Sequence, residues 1–365
     1  MKVVLVSVHD GDSDRKTGFH FWAKILAGRG HDVRFLTVGS SYISLLKRGG
    51  KQLKRPFNKW IPLDERIRKF TWMPLFHPIN FSKPFLNNIS RPLFSLYPKL
   101  LPQSLLDSLQ NTDLFIMESG QGAMLVPRFA ALCPQAKFIY NPSDRHSVIK
   151  FHPLVVESEK EALPYFTAIR LNSASVANDF PKGSPTHYIP QAIDKKIFDA
   201  PKNNPYKKPK NAINIGDMLF DAVAVETLAH AYPDWTFHLF GKGARISQPM
   251  DNVIEYGEMP FEKLVPFLQY ADIGLAPYKA TKQAAYLSQS SLKFVQYTYC
   301  KLPVVAPLIT SNGAPHIHTY TAYKGNDGII KAFENAMKYD RKTIDRSRIT
   351  GWEDVIDNMM RLARV

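Results

Sequence analysis

A carboxylate, a lysine at a helix start and several glycine-flanked loops are the residues of this chain best suited to chemistry. Asp144 closes Asn141-Pro142-Ser143-Asp144, a polar stretch directly after an apolar run. A carboxylate there can take a proton from an attacking hydroxyl, or it can simply cap the next turn. Spacing does not separate the two. Segment 288–297, SQSSLKFVQY, says more. Ser290 or Ser291 suits the N-cap of the helix that follows. A helix N-terminus presents free N–H groups and partial positive charge, which favours phosphate. Lys293 falls in the first turn, with Gln296 one turn on along the same face. A cation beside that helix end is electrostatically odd unless an anion sits there too. The alternative is a capped surface helix with a solvated lysine.

Three further loops fit the same pattern. In Tyr256-Gly257-Glu258-Met259 the carboxylate can accept two hydrogen bonds from a ribose diol, or it is an exposed glutamate in a turn. In Ile215-Gly216-Asp217-Met218, Gly216 allows close approach of backbone to a ligand, or the stretch leads into a helix capped by Asp221. His9-Asp10 followed by Arg15-Lys16 can hold an anion or be a solvated loop.

Several chemistries are excluded. There is no GxGxxG after the first strand and no GxxxxGK[ST], which argues against a dinucleotide oxidoreductase or a P-loop enzyme. Asp10-Gly11-Asp12-Ser13-Asp14 imitates a calcium loop, but Arg15 stands where glycine is needed and Phe21 where the twelfth-position Glu belongs. Cys133 and Cys300 form neither a metal spacing nor a disulfide framework. No metal and no cofactor are expected.

These residues need a frame that brings loops together at strand ends. The first 38 residues read as strand, loop, helix and strand, a βαβ unit. Strands at 114–117, 137–140, 168–172 and 186–189 extend it. Residues 199–210, DAPKNNPYKKPK, carry three prolines and no apolar periodicity, and read as a linker. Behind them the pattern restarts, with strands at 212–215, 236–240, 253–256, 273–276 and 304–306 and helices between. The expected organisation is an N-terminal Rossmann-like domain over 1–198, the linker 199–210, a C-terminal Rossmann-like domain over 211–345, and a C-terminal helix in 346–365 that can cross back. The fold class is α/β, two doubly wound domains facing a central cleft, with ligands at the carboxyl ends of the strands.

Residues 47–105 fit neither pattern. They hold twelve Lys/Arg against Asp64 and Glu65, a net +10 of the chain's +15. They also hold nine aromatic residues and eight prolines. The stretch is either an irregular insertion that packs its aromatics inward or a basic-aromatic surface for an anionic bilayer. Nucleic acid ranks last, because no nucleic-acid module motif is present. Lys47, Arg48, Lys51, Lys54, Arg55, Trp60, Trp72, Phe76 and Phe81 are the candidate membrane contacts. The N-terminal apolar run, Val3 to Val6, is too short for a signal sequence or a span.

The ordered stretches HDGDSDRKTGFHF (9–21), ESG (118–120), SD (143–144), MLFD (218–221), TFHLFGKG (236–243), VIEYGEM (253–259), IGLAPY (273–278), YLSQSSLKFVQY (286–297) and LPVVAP (302–307) resemble the membrane-associated glucuronosyltransferases of xanthan assembly, the GumK family. The resemblance covers nearly the full length and implies a GT-B glycosyltransferase that inverts the anomeric centre without a metal. It implies that Asp144 is the catalytic base. It further implies that Met218, Glu258, Met259, Tyr278, Lys293 and Gln296 bind UDP, with Ser290 and Ser291 at the helix start. Arg15, beside Lys16, matches an arginine that is a candidate for the donor-sugar carboxylate. The sequence departs from the family at Gln289, at Pro142 and around Arg15.

The expected partners are a UDP-sugar donor, a polyprenyl-diphosphate-linked oligosaccharide acceptor and an anionic membrane surface, at the cytoplasmic face of the inner membrane, in exopolysaccharide assembly. Transfer of glucose or another hexose, nucleotide-sugar epimerisation, and non-catalytic UDP-sugar binding are the alternatives.

Overall fold

The computed structural model describes residues 1–47, 56–143, 149–321 and 327–365, without the side chains of Lys47 and Gln283. It divides into two units. Unit 1 comprises Met1–Ser13, Thr17–Ile189 and Glu353–Val365, and unit 2 comprises Asp14–Lys16 and Pro190–Trp352.

Unit 1 is built on eight strands: β1 (Lys2–Ser7), β2 (Asp32–Thr37), β3 (Trp60–Asp64), β4 (Ile67–Thr71), β5 (Leu114–Glu118), β6 (Lys137–Asn141), β7 (Ala168–Leu171) and β8 (Thr186–Tyr188). Their order is β3-β4-β2-β1-β5-β6-β7-β8. Every pairing is parallel except that of β3 with β4. Val3 to Val6 and Leu114 to Met117 are wholly inaccessible. Helices cover both faces of such a sheet, so its central strands read as unbroken apolar runs. The helices are α1 (Gly18–Gly28), α2 (Tyr42–Lys47), α3 (Pro84–Ser95), α4 (Gln103–Leu109), α5 (Val126–Leu132) and α6 (Pro153–Ala162).

Residues 56–105 are therefore not an irregular insertion. β3 and β4 extend the sheet beside β2, with Val33 opposite Ile67 and Thr37 opposite Thr71. Phe70, Trp72, Phe94 and Tyr97 are core residues. Trp72 lies against Tyr97 at 4.5 Å between ring centroids, and Phe94 meets His152 edge-on at 5.1 Å.

Unit 2 contains α7 (Lys195–Asp199), β9 (Asn211–Ile215), α8 (Ala222–Ala231), β10 (Thr236–Phe240), β11 (Val253–Gly257), α9 (Phe261–Tyr270), β12 (Ile273–Leu275), α10 (Leu287–Ser290), α11 (Leu292–Tyr299), β13 (Val304–Pro307), β14 (Ile317–Tyr320) and α12 (Asp327–Lys338). The sheet order is β11-β10-β9-β12-β13-β14, all parallel. α12 buries Ile329, Ala332, Phe333 and Ala336, one stripe at helical spacing, and Phe333 packs among Tyr232, Trp235 and Phe237.

Two boundaries differ from the sequence expectation. The units divide after Ile189, not after 198. Within the proline-rich stretch 199–210, Tyr206 donates to the Phe267 carbonyl at 2.8 Å and sets its ring against Phe267 and His238. That stretch packs on unit 2 because the half-buried Tyr206 anchors it. The last helix, α13 (Trp352–Ala363), belongs to unit 1 from Glu353 onward. It buries Val355, Ile356, Met359 and Ala363, and Asp357 pairs with Arg29 at 2.6 Å.

Candidate active site

In an open parallel sheet, ligands bind at the carboxyl ends of the strands, where the strand order reverses. In unit 2 that point lies between β9 and β12. Lys293, in the first turn of α11, is buried there. Its Nζ donates to Asn214 Oδ1 of β9 at 2.7 Å and lies 4.6 Å from the centroid of the Tyr278 ring, just beyond β12. Burial lowers its pKa from the ordinary lysine value to about 7, against a smaller opposing pull from Asp217. The solvated-lysine reading is overturned, because the side chain runs inward against the sheet.

α11 is held in place one turn further on. The Tyr297 hydroxyl lies 2.9 Å from the Ile213 carbonyl and 3.0 Å from that of Leu275, and accepts the Ile215 N–H at 3.2 Å. The ring crosses β12 at Gly274, where an added Cβ would stand 2.6 Å from Tyr297 Cδ2. Glycine at that position is what lets the helix approach the sheet. Gln296 is buried on the same helix.

The serines behave differently from expectation. Ser291 occupies the N-cap position without a side-chain cap bond, and its Oγ instead pairs with the Tyr278 hydroxyl at 2.8 Å. Ser290 lies in α10, and its Oγ donates to the Tyr286 carbonyl at 3.1 Å. Asp221 likewise takes the N-cap position of α8 without capping through its side chain.

The remaining unit 2 candidates occupy neighbouring strand ends. Met218 follows β9, and its Sδ lies 3.8 Å from the Tyr286 hydroxyl. Asp217 Oδ2 accepts the Gly243 N–H at 2.8 Å, tying the loop after β9 to the loop after β10. Between them Gly241 has φ 136°, and a Cβ there would meet the Gly216 backbone at 3.0 Å. Glu258 is exposed and Met259 half-buried, directly beyond β11. Stacking of Tyr256 on Phe240 at 4.4 Å and pairing of its hydroxyl with His238 Nδ1 at 3.0 Å fix that strand end. Burial pushes the His238 pKa down to about 4, so the imidazole is neutral.

In unit 1 the strand order reverses between β1 and β5. There the buried Glu118 carboxylate accepts from the Ser7 hydroxyl, from the Val8 N–H at 3.2 Å and from the Ser143 hydroxyl at 2.8 Å. Asp144 itself lies outside the described residues. Arg15 is exposed and Lys16 half-buried in the loop after β1. In that loop Asp10 and Asp12 both pair with the buried Lys69 ammonium, at 2.9 and 2.6 Å. Two carboxylates that imitate a calcium loop thus share one lysine of β4.

Comparison with known proteins gives the following similarities. The glucuronosyltransferase GumK N-terminal domain family matches residues 5–172. A Xanthomonas campestris pv. campestris protein, UDP-glucuronate:glycolipid 2-beta-glucuronosyltransferase, is 27% identical over 368 residues, spanning 98% of this chain and 88% of the relative. The chain is similar to the GumK glucuronosyltransferases. Solved structures with the same fold include an α,α-trehalose-phosphate synthase from Burkholderia xenovorans with glucose-6-phosphate (TM-score 0.61, 13% identity, all of both chains). Another is an E. coli trehalose-6-phosphate structure bound with UDP-2-fluoro glucose (TM-score 0.59, 13% identity, 100% of this chain and 97% of that one). The fold is GT-B.

The candidate membrane contacts of this GumK-like chain divide sharply. Arg48, Lys51, Lys54 and Arg55 lie outside the described residues, as does the Lys47 side chain. Trp72 is a correction: at 1% exposure it is a core residue and has no face for a bilayer. Trp60 is half-buried, with Arg34 over its ring and its Nε1 donating to Ser108 Oγ at 2.9 Å. Phe76 is half-buried, and Phe81 is 36% exposed. Phe81 is thus one of the exposed apolar side chains, and others lie on α3. α3 turns Phe85 (72%), Ile89 (61%) and Leu93 (48%) outward at i, i+4 and i+8, with Leu86 and Leu96 alongside. It buries Asn87 and Phe94 on its other side. Lys69 and Arg91 are already paired, with Asp10 and Asp12 and with Glu157, so the net +10 overstates the free charge.

Proposed function

We propose that this protein transfers glucuronic acid from UDP-glucuronate to a lipid-linked oligosaccharide, inverting the anomeric centre without a metal ion. The observation that carries the proposal is the buried Lys293 ammonium at the start of α11, between Asn214 and Tyr278 at the switch point of unit 2. A buried lysine is costly unless something favours its charged form. The diphosphate of a UDP-sugar supplies that, and the helix N-terminus adds to the field.

In this reading Glu258 accepts the ribose hydroxyls, and Met218, Met259, Tyr278, Ser290, Ser291 and Gln296 complete the UDP contacts. Arg15, with Lys16, holds the glucuronate carboxylate, for which a guanidinium fork is better matched than for a neutral hydroxymethyl group. Asp144 takes the proton of the acceptor hydroxyl as its oxygen attacks the anomeric carbon. The bond from that carbon to the β-phosphate oxygen breaks, and UDP leaves with its new charge stabilised by Lys293. The relative's printed activity, glucuronate transfer to a glycolipid, supports both the donor and the acceptor class.

A lipid-linked acceptor keeps the reaction at a membrane. The proposed location is the cytoplasmic face of the inner membrane, in exopolysaccharide assembly. No helix among the described residues is long and apolar enough to cross a membrane. The outward stripe of α3, flanked by exposed Lys83 and Lys99, suits a helix lying in the headgroup layer.

A thermal-shift panel of nucleotide sugars tests the donor. UDP-glucuronate should stabilise the protein by about 2.7 kcal/mol at a hundred times its dissociation constant, and UDP-glucose less at equal concentration. A stronger effect from UDP-glucose would overturn the donor assignment, and no response to any UDP-sugar would overturn the function. Transfer should survive excess EDTA, and loss of turnover on chelation would contradict the metal-free step.

A further inference from the structure

Asn214 is a polar side chain inside the buried strand β9, between Ile213 and Ile215, and none of it reaches solvent. Such a group is costly unless both ends of its amide are bonded. Here both are. Oδ1 accepts from Lys293 Nζ at 2.7 Å, and Nδ2 donates to the Gly216 carbonyl at 3.0 Å. An ammonium can only donate and a carbonyl can only accept, so the partners fix which way the amide faces. Gly216 has φ 77°, the left-handed region that favours glycine, and it opens the loop of Asp217 and Met218. One side chain thus ties the first turn of α11 to the loop after β9.

A carboxylate in this place would serve the ammonium but not the carbonyl, and an apolar side chain would serve neither. The difference in charge matters more. Beside a carboxylate the ammonium would be neutralised before a ligand arrived, and a diphosphate would meet an ion pair in place of a cation. Beside a neutral amide the ammonium keeps its charge. The other groups that face it leave that unchanged. Tyr278 presents the face of its ring. The Tyr297 hydroxyl, on the same helix, lies against two strand carbonyls, and burial holds it well above the usual tyrosine range and uncharged. Among the described residues Asp217 is the charged group that acts on Lys293, and its pull is smaller than the effect of burial. Its carboxylate already accepts the Gly243 N–H and lies 3.9 Å from Arg15.

We propose that Asn214 is a positioning residue for the donor: its neutral amide holds the Lys293 ammonium in place for the diphosphate without cancelling its charge. The proposal rests on Lys293 as the diphosphate contact. Asn214 acts through that lysine and touches no reacting group in this role.

The test is calorimetric affinity for UDP-glucuronate from about pH 6 to about pH 9, a range over which its diphosphate carries constant charge, with melting temperature measured beside it. In the wild type, affinity should fall as pH rises above about 7. Asn214→Leu removes the acceptor, which disfavours the charged form. Its fall should begin at lower pH, so the loss against wild type is largest at high pH, about tenfold or more, the scale of a hydrogen bond to a charged group, and shrinks toward pH 6. Asn214→Asp adds an opposite charge, which favours the charged form. Its affinity should be nearly flat across the range, and about tenfold or more below wild type at pH 6, where the wild-type lysine is free to meet the diphosphate. In a Lys293→Met background the fall above pH 7 should be absent whichever residue stands at 214.

Profiles that move the same way in the two variants, or a loss equal at every pH, would mean a merely structural role and overturn the proposal. If neither variant folds, Asn214→Ala decides, and a wild-type profile in that variant overturns it. Wild-type affinity in Lys293→Met brings down the diphosphate reading itself. A Lys293→Met that binds weakly, beside Asn214 variants with the wild-type profile, brings down only the role of Asn214.

Discussion

At the scale of single residues, the environment of Lys293 has a consequence for pH. Its pKa is lowered to about 7 by burial, so in the free protein the ammonium loses its proton as pH rises through about 7. A bound diphosphate favours the charged form and raises that pKa again. Binding of UDP-glucuronate between roughly pH 7 and the ordinary lysine range should therefore take up a proton. Affinity should fall as pH rises above about 7. Calorimetry at pH 8 in two buffers of different ionisation enthalpy measures the uptake, and zero uptake would contradict the phosphate role. Lys293→Met should abolish it and weaken binding by about 1.5–3 kcal/mol, the worth of a hydrogen bond to a charged group. Lys293 was legible because a cation in a helix's first turn asks for an anion. Asn214 was not, since a polar side chain inside a buried strand has no spacing that announces its partner. Nor was the pairing of Lys69 with Asp10 and Asp12, which the fold brings together from 59 and 57 positions apart.

Elements place these side chains, and two of them make separate expectations. α11 depends on the absence of a side chain at Gly274. Gly274→Ala should push Tyr297 off β12, destabilising the protein by about 1–3 kcal/mol, the usual cost of overpacking. It should also weaken UDP binding, because Lys293 rides on the same helix. An unchanged melting temperature with normal UDP affinity would show that the helix is positioned otherwise. α3 carries the membrane expectation. Replacing Phe85, Ile89 and Leu93 together by serine should leave melting nearly unchanged, since all three are exposed. Sedimentation with anionic vesicles should drop, and for the wild type it should also drop between about 0.1 M and 1 M salt as the Debye length shrinks from about 10 to about 3 Å. Equal sedimentation of variant and wild type would remove α3 from the membrane contact. The sequence shows apolar residues four apart here, but Pro84 and Pro92 disguise the helix. Pro84 is tolerated because it opens the first turn, whereas Pro92 lies inside the helix and forgoes the bond to the carbonyl four residues back. β4 was obscured for another reason: its Arg68 and Lys69 interrupt the apolar run, and Lys69 is buried only because Asp10 and Asp12 await it.

For the molecule as a whole, the restart of the strand–helix pattern near residue 211 made two sheets legible. The boundary was not, because Tyr206 packs on unit 2 and draws the proline-rich stretch with it. The helix that ends the chain in unit 1 could be anticipated as a helix, but its packing depends on a stripe, Val355, Ile356, Met359 and Ala363, whose partner is fixed only by the fold. The two sites share this dependence on the fold. In unit 2 Lys293 finds Asn214 from 79 positions away, and in unit 1 Glu118, Asn141, Ser143 and Arg170 meet only after three strands assemble. The central claim concerns what the assembled protein makes. Its most direct test is incubation of the purified chain with native membranes and UDP-glucuronate or UDP-glucose, each labelled in the sugar, followed by analysis of the lipid extract. Label from glucuronate should appear in a glycolipid, joined in the β configuration, faster than label from glucose. Preferential transfer from UDP-glucose, retention of the α configuration, or label that stays in the nucleotide sugar would contradict it.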